Sequence, residues 1–149
     1  MREITDPGKW WKRFLNLSLH VAEWSKDPST RVGAVTTRGN LVQSIGFNGP
    51  PRGVSDSVGS REVRLLKTIH AEVNAVLTRK QDLAGASIFC SHVTCANCAA
   101  ILIQAGITKV VVIKPEAEFA ERWKLSSDEA TKMFKEAEVD YFCVDKGNL

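Results

Sequence analysis

Three observations predict one α/β layer domain, with a sheet of about five strands covered by helices on both faces. The run Lys109-Val110-Val111-Val112-Ile113 is unbroken and β-branched, as a strand buried on both sides requires. A strand-like stretch from Ser87 to Val93 precedes it, and a helical stretch from Cys98 to Ala105 lies between them. That order makes a βαβ unit with parallel strands. The chain's 149 residues, 44% of them apolar, suffice for one core without disulfide support, so a single domain over residues 1–149 is expected.

The remaining elements follow in order. Asp6-Pro7 marks a helix start, with Asp as the cap and Pro at the first helical position. Trp10, Phe14, Leu17, Val21 and Trp24 recur at steps of four and three, the stripe of one buried helix face. Ser25-Lys26-Asp27-Pro28 ends that helix. Strands are expected from Val32 to Thr37 and from Leu41 to Phe47, joined by a hairpin turn at Arg38-Gly39-Asn40. Residues 48–60 hold three glycines, two prolines and three serines, and a loop of that length is usually functional or mobile. Helical periodicity resumes at Ile69 and continues through Val73, Val76 and Leu77. Gly106 closes the helix that ends at Ala105. Ser126 and Glu129 fit a capping box for a last helix with Ala130, Met133, Phe134 and Ala137 inward, and residues 139–144 supply a final strand.

Composition excludes some function classes. Twenty basic against 17 acidic residues give a net charge of +3, too mild to indicate a nucleic-acid polymer as partner. No apolar run approaches the ~18 residues of a membrane span. Residues 1–7 lack the apolar core of a leader, so the chain reads as cytoplasmic. In that setting Cys90, Cys95, Cys98 and Cys143 are expected as thiols or metal ligands rather than disulfides.

The chemistry lies in His70-Ala71-Glu72 and Cys95-Ala96-Asn97-Cys98. Cys-x-x-Cys alone is compatible with a redox pair, half a structural zinc site or chance. A thioredoxin-type context and a second Cys-x-x-Cys are both missing, and Cys143 lies too far along for finger spacing. One His and two Cys make three ligands, and the fourth position left for water is what a catalytic zinc needs. Thr94 is expected to cap a helix beginning at Cys95, placing both thiols at a helix N-terminus that favours thiolate. Glu72 stands two residues past a ligand, within reach of a water at the metal, and suits a proton shuttle. Taken singly, His70 reads as a helix-start histidine and Glu72 as a first-turn acid. Taken with the Cys pair, they read as a catalytic zinc site. Cys90 and Cys143 read as small core residues on strands. His92 is expected to face the pocket or solvent, and Phe47 and Trp123 to pack in the core.

His-x-Glu followed by Cys-x-x-Cys is the signature of zinc-dependent nucleobase deaminases. From about Trp10 to Val144 the chain resembles deoxycytidylate (dCMP) deaminases of the bacterial and phage type. The matching pieces are Ser25-Lys26-Asp27-Pro28-Ser29, Val32-Gly33-Ala34-Val35, residues 46–54 (Gly-Phe-Asn-Gly-Pro-Pro-Arg-Gly-Val), residues 70–76 and Gln104-Ala105-Gly106-Ile107.

The resemblance implies a cytidine-deaminase-like three-layer α/β/α domain with a mixed sheet. It implies hydrolysis of dCMP to dUMP and ammonia with one zinc (Zn2+) per chain, dUMP then feeding dTMP synthesis. His70, Cys95 and Cys98 would hold the metal. Glu72 would take the proton from water, protonate N3 and assist departure of the amino group. The Ala71 amide would hold the base O2, the Ser91 carbonyl would accept from the amino group, and Asn48 would bond the sugar. For the phosphate, the candidates are Arg52, Arg61, Arg64 and Lys67, in or just after the long loop. The resemblance further implies a homo-oligomer, a hexamer favoured, activated by dCTP and inhibited by dTTP, with Mg2+ accompanying the effector. Lys26, Arg31, Asn48 and Gly49 are the candidate effector residues.

Two departures stand out. The family has Pro immediately before the first Cys, where this chain has Thr94. The additional His and Cys that give some relatives a second zinc are missing before His70. Rival readings are a cytidine or deoxycytidine deaminase, a tRNA adenosine deaminase, and a non-catalytic zinc-stabilised nucleotide-binding protein. Ala96 and Ala99 replace the Gly and Arg usual in the first, and the Glu-Pro-Cys motif of the second is missing. A purely structural site has no need of Glu72.

Overall fold

A computed structural model of the chain describes residues 1–55 and 59–149. The elements, in chain order, are β1 (Arg2–Ile4), α1 (Gly8–Ala22), β2 (Gly33–Arg38), β3 (Leu41–Phe47), α2 (Arg61–Lys67) and α3 (Ala71–Leu77). β4 (Ser87–Cys90), α4 (Ala96–Gln104), β5 (Lys109–Ile113), α5 (Ala117–Arg122), α6 (Lys124–Glu136) and β6 (Asp140–Val144) follow. Six strands form one mixed sheet in the order β1-β6-β5-β4-β2-β3. β1, β6, β5 and β4 are mutually parallel, whereas β2 runs antiparallel to both β4 and β3. The sixth strand is β1, which at three residues is too short to show an alternation. Part of the loop at residues 48–60 falls outside the described residues.

Alternation along the parallel strands builds two cores. Ile88, Cys90, Val110, Val112, Tyr141 and Cys143 face one side, where Ala75, Leu102 and Phe134 from α3, α4 and α6 cover them. Phe89, Val111, Ile113, Phe142 and Val144 face the other side, under Phe14 and Leu15 of α1. The unbroken apolar character of β5 is therefore the consequence of helices on both faces. Cys90 and Cys143 are buried on strands, as expected.

The structure corrects several local expectations. The buried face of α1 is Phe14, Leu15, Ser18, Val21 and Ala22, while Trp10 and Trp24 are exposed. Trp11 is the tryptophan that reaches the core edge, with its ring 5.2 Å from Phe142 and 6.0 Å from Phe89. The stripe moves because Gly33 of β2 lies directly against Ser18 and Ala22. A Cβ at Gly33 would collide with the Ser18 carbonyl and the Ala22 amide, so small residues must face the strand there. Gly46 of β3 does the same for α3, since a Cβ would run into the Ala71 carbonyl and the Ala75 amide. That close approach sets the depth of the helix that carries His70 and Glu72 at its start.

Ser126 does not cap its own helix. It sits inside α6, and its Oγ accepts from the Ala96 amide of α4, 2.9 Å away. Ala137 is exposed just past the end of α6. α2 and α5, for which no periodicity was visible, bury no residue at all, so no apolar stripe marks them.

Candidate active site

The two chemical motifs meet at neighbouring helix starts. His70 is the N-cap residue of α3, and Cys95 is the N-cap residue of α4. Thr94 does not cap α4. The Cys95 sulfur accepts from the Cys98 amide at 3.5 Å, and the buried Thr94 Oγ1 has no hydrogen-bond partner among the described residues. His70 Nδ1 stands 3.4 Å from Cys95 Sγ and 3.3 Å from Cys98 Sγ, and the three ligand atoms all lie within 4.8 Å of one another. Zinc–sulfur and zinc–nitrogen bonds near 2.3 and 2.0 Å set the N···S edge of a tetrahedron at about 3.5 Å. The donor set and its spacing therefore fit zinc, with one vertex left over.

Electrostatics agree with a cation site. The Cys95 thiol is pulled down to about 4, first by the hydrogen bond from Cys98, then by the bond to His70, the Cys98 amide and the nearby imidazole charge, all against burial. Cys98 is pushed up, because it donates to Cys95 and is buried beside Glu72. His70 is raised by its bond to Cys95. Glu72 is 4% exposed, with Oε2 at 3.6 Å from Cys98 Sγ, and burial lifts its carboxyl above the ordinary range. Its own backbone amide and His70 offset part of that lift. A carboxyl so placed can change protonation state beside the ligands without belonging to them.

His70, Glu72 and Cys95 of this cluster line a cleft of about 110 Å³ that is partly open to solvent. Asn48, Ala71 and Glu72 line it, together with His92, Phe119 and Trp123. The Asn48 side chain is half engaged: Oδ1 accepts from the Val32 amide at 2.9 Å and Nδ2 donates to the Thr30 carbonyl at 2.9 Å. One lone pair and one N–H remain for a ligand. Ser91 is buried, and its Oγ accepts from the Gly33 amide at 3.0 Å. The same hydroxyl is hydrogen-bonded to His92 Nδ1, also at 3.0 Å, which orients the imidazole ring. Burial, and then Lys146 nearby, lower the pKa of His92. The His92 and Phe119 rings lie 5.3 Å apart and Phe119 stacks on Trp123, so these form an aromatic wall.

Arg61 and Arg64 line the cleft from α2, and Arg122 lines it from α5. Sequence reasoning missed Arg122, since nothing local ties residue 122 to a motif at residue 95. Arg52 is exposed on the turn after Pro51 and lines neither this cleft nor the neighbouring concavity. That second concavity, of about 40 Å³, is lined by Lys26, Gly49 and Lys67 among others. Arg31 is exposed and lines neither, and Asn48 belongs to the main cleft only. Phe47 is exposed, edge-on to Trp24, instead of packed in the core.

A buried carboxyl beside a His/Cys/Cys ligand set, beneath a cleft with basic and aromatic walls, is the arrangement of a metal-dependent deaminase. The chain belongs to the family defined by the cytidine and deoxycytidylate deaminase zinc-binding region, which matches residues 8–114. It is 48% identical over 135 residues to an uncharacterised deaminase in the luxG 3′ region of Aliivibrio fischeri, covering 89% of this chain and 92% of that protein. It is 32% identical over 133 residues to human deoxycytidylate deaminase, covering 83% of this chain and 71% of the human one. The fold is that of the dCMP deaminase from the cyanophage S-TIM5, with a TM-score of 0.72, 19% identity, and coverage of 89% of this chain and 95% of that one. Among the described residues no helix is long and apolar enough to cross a membrane.

Proposed function

We propose that this chain hydrolyses dCMP to dUMP and ammonia, using one zinc held by His70 Nδ1, Cys95 Sγ and Cys98 Sγ. The observation that carries the reading is Glu72, buried 3.6 Å from a ligand sulfur at the floor of a cleft whose walls hold three arginines. When bound, zinc supplies the Lewis acidity that makes water nucleophilic near neutral pH. Glu72 takes the proton of the attacking water, passes it to N3 of the cytosine, and assists the amino group as it leaves. Its buried place beside the ligands suits a group that must both accept and return a proton. The Ala71 amide and the Ser91 carbonyl are assigned to the base O2 and amino group by resemblance, and Asn48 offers its remaining lone pair and N–H to the sugar. His92, Phe119 and Trp123 form the aromatic side of the pocket.

The 5′-phosphate falls to Arg61, Arg64 and Arg122 in place of Arg52, because these guanidinium groups border the same cleft as Glu72. Ammonia release across cytidine, deoxycytidine, CMP, dCMP and dCTP tests the assignment. dCMP is expected to be strongly preferred over deoxycytidine, and equal turnover of the two would favour a nucleoside deaminase. Metal analysis is expected to find one zinc per chain, lost in Cys95→Ala and Cys98→Ala and retained in Cys90→Ala and Cys143→Ala.

The second concavity favours a regulatory reading as well. Lys26, Lys67 and Gly49 line it, and Asp27, Arg64 and Thr68 line both it and the main cleft. We propose that dCTP and dTTP, with Mg2+, act there in a homo-oligomer of expected hexameric size. A charge bound at that place would reach the cleft through the shared wall, and two effectors favouring different states would then have opposite effects. Rate against dCMP with and without each triphosphate and Mg2+, together with sizing, tests this. Unchanged hyperbolic curves from a monomer would remove it.

A further inference from the structure

The Cys95 loop is held at the two amides that flank Cys95 by side chains from far along the chain. The Thr94 amide donates to the Tyr141 hydroxyl at 3.3 Å, and the Ala96 amide donates to Ser126 Oγ at 2.9 Å. Cys95 lies between them. Tyr141 is on β6 and Ser126 on α6, both beyond residue 114, where the family match ends.

α4 has no capping oxygen of its own. Its N-cap residue is a cysteine whose sulfur, a weak acceptor, is also a metal ligand. A helix start normally has its free amides met by a local Ser, Thr, Asp or Asn. Here Ser126 meets the first of them from a packed neighbouring helix. The Thr94 amide has no alternative in water, because Thr94 is fully buried and Tyr141 is 5% exposed. Tyr141 is itself fixed by packing, with its ring edge-on to Phe134 at a centroid distance of 4.8 Å. A residue of proline type at position 94 would bring no amide hydrogen and would leave the Tyr141 hydroxyl without this donor.

We propose that Tyr141 and Ser126 are positioning residues that clamp the Cys95 ligand loop in metal-binding geometry, with Tyr141 matched to a residue other than proline at position 94. The proposal rests on the reading of His70, Cys95 and Cys98 as the zinc site. Thr94 Oγ1 has no hydrogen-bond partner among the described residues, so the hydrogen bond that Thr94→Pro removes is the one donated by the buried amide.

Zinc affinity, measured by chelator competition on folded protein, reads the clamp directly. Tyr141→Phe and Ser126→Ala are each expected to weaken zinc binding by about 10–100-fold, the usual cost of losing a residue that orients a ligand. Ser126→Thr, which keeps the hydroxyl, is expected to bind zinc as the parent does. Thr94→Pro combined with Tyr141→Phe is expected to bind zinc no worse than Thr94→Pro alone, since no buried amide then needs the phenol. In the zinc-free protein, Thr94 amide exchange should quicken in Tyr141→Phe and Ala96 amide exchange in Ser126→Ala, each without the other. Parental zinc affinity in both single variants, full additivity with Thr94→Pro, or unchanged exchange at both amides would overturn the clamp. A parent protein that binds no zinc would instead overturn the zinc reading beneath it.

Discussion

α3 and α4 differ from α2 and α5 in how firmly the core holds them. α3 buries Ala71, Glu72, Ala75 and Val76, and α4 buries Cys98, Ala99 and Leu102, so their starts are fixed by the core. α2 and α5 bury nothing, yet they contribute Arg61, Arg64, Phe119 and Arg122 to the cleft. Proton transfer and metal ligation need positions held to fractions of an ångström, which packed elements provide. Pairing with a phosphate tolerates more freedom, because long guanidinium side chains reach from the surface. Variants in the first pair should therefore act on turnover, and variants in the second on substrate binding.

The largest expected effect breaks the first pair. Glu72→Gln should retain its zinc and lose about 10²–10⁴-fold in kcat, because the proton carrier goes while the ligands remain. Substantial turnover by the zinc-loaded variant would move the proton transfer elsewhere. Next, Arg61→Ala, Arg64→Ala and Arg122→Ala should each raise KM for dCMP by about 10–100-fold, the range of a charged hydrogen bond, with little change in kcat. Their residual activity on deoxycytidine should match that of the parent. A fall in kcat without a rise in KM would show that the outer helices take part in the chemistry.

The smallest effect sharpens the comparison inside the packed half. Thr94→Val removes a buried hydroxyl that has no hydrogen-bond partner among the described residues while keeping the amide that donates to Tyr141. The zinc-free protein should gain about 1 kcal/mol, seen as a rise of about 2–4 °C in Tm. A loss of stability would show that the Thr94 hydroxyl has a role in the packed loop.

How much of this was legible in the sequence depends on what made each element form. β5, the βαβ unit and the two ligand motifs were visible because their signals are local: an apolar run, a periodicity, a fixed spacing. The helix face of α1 was misplaced by about one position because the apolar stripe alone does not show where a glycine lets two backbones meet. Trp10 sits under Arg13, with the guanidinium 4.6 Å from its ring, instead of in the core. Ser126 looked like a cap from its neighbours in sequence, and it is one, but for a different helix.

The sequence by itself determined the donor set, the carboxyl two residues past a ligand, and the alternation that buries both sheet faces. These depend on side-chain type and on short spacings, which the chain specifies before it folds. Only the tertiary structure decided which cations border the cleft, that Arg122 joins Arg61 and Arg64 while Arg52 does not, and that hydroxyls at 126 and 141 hold the loop at 95. Those relations join residues far apart in sequence, and the sheet order and the close approaches at Gly33 and Gly46 bring them together.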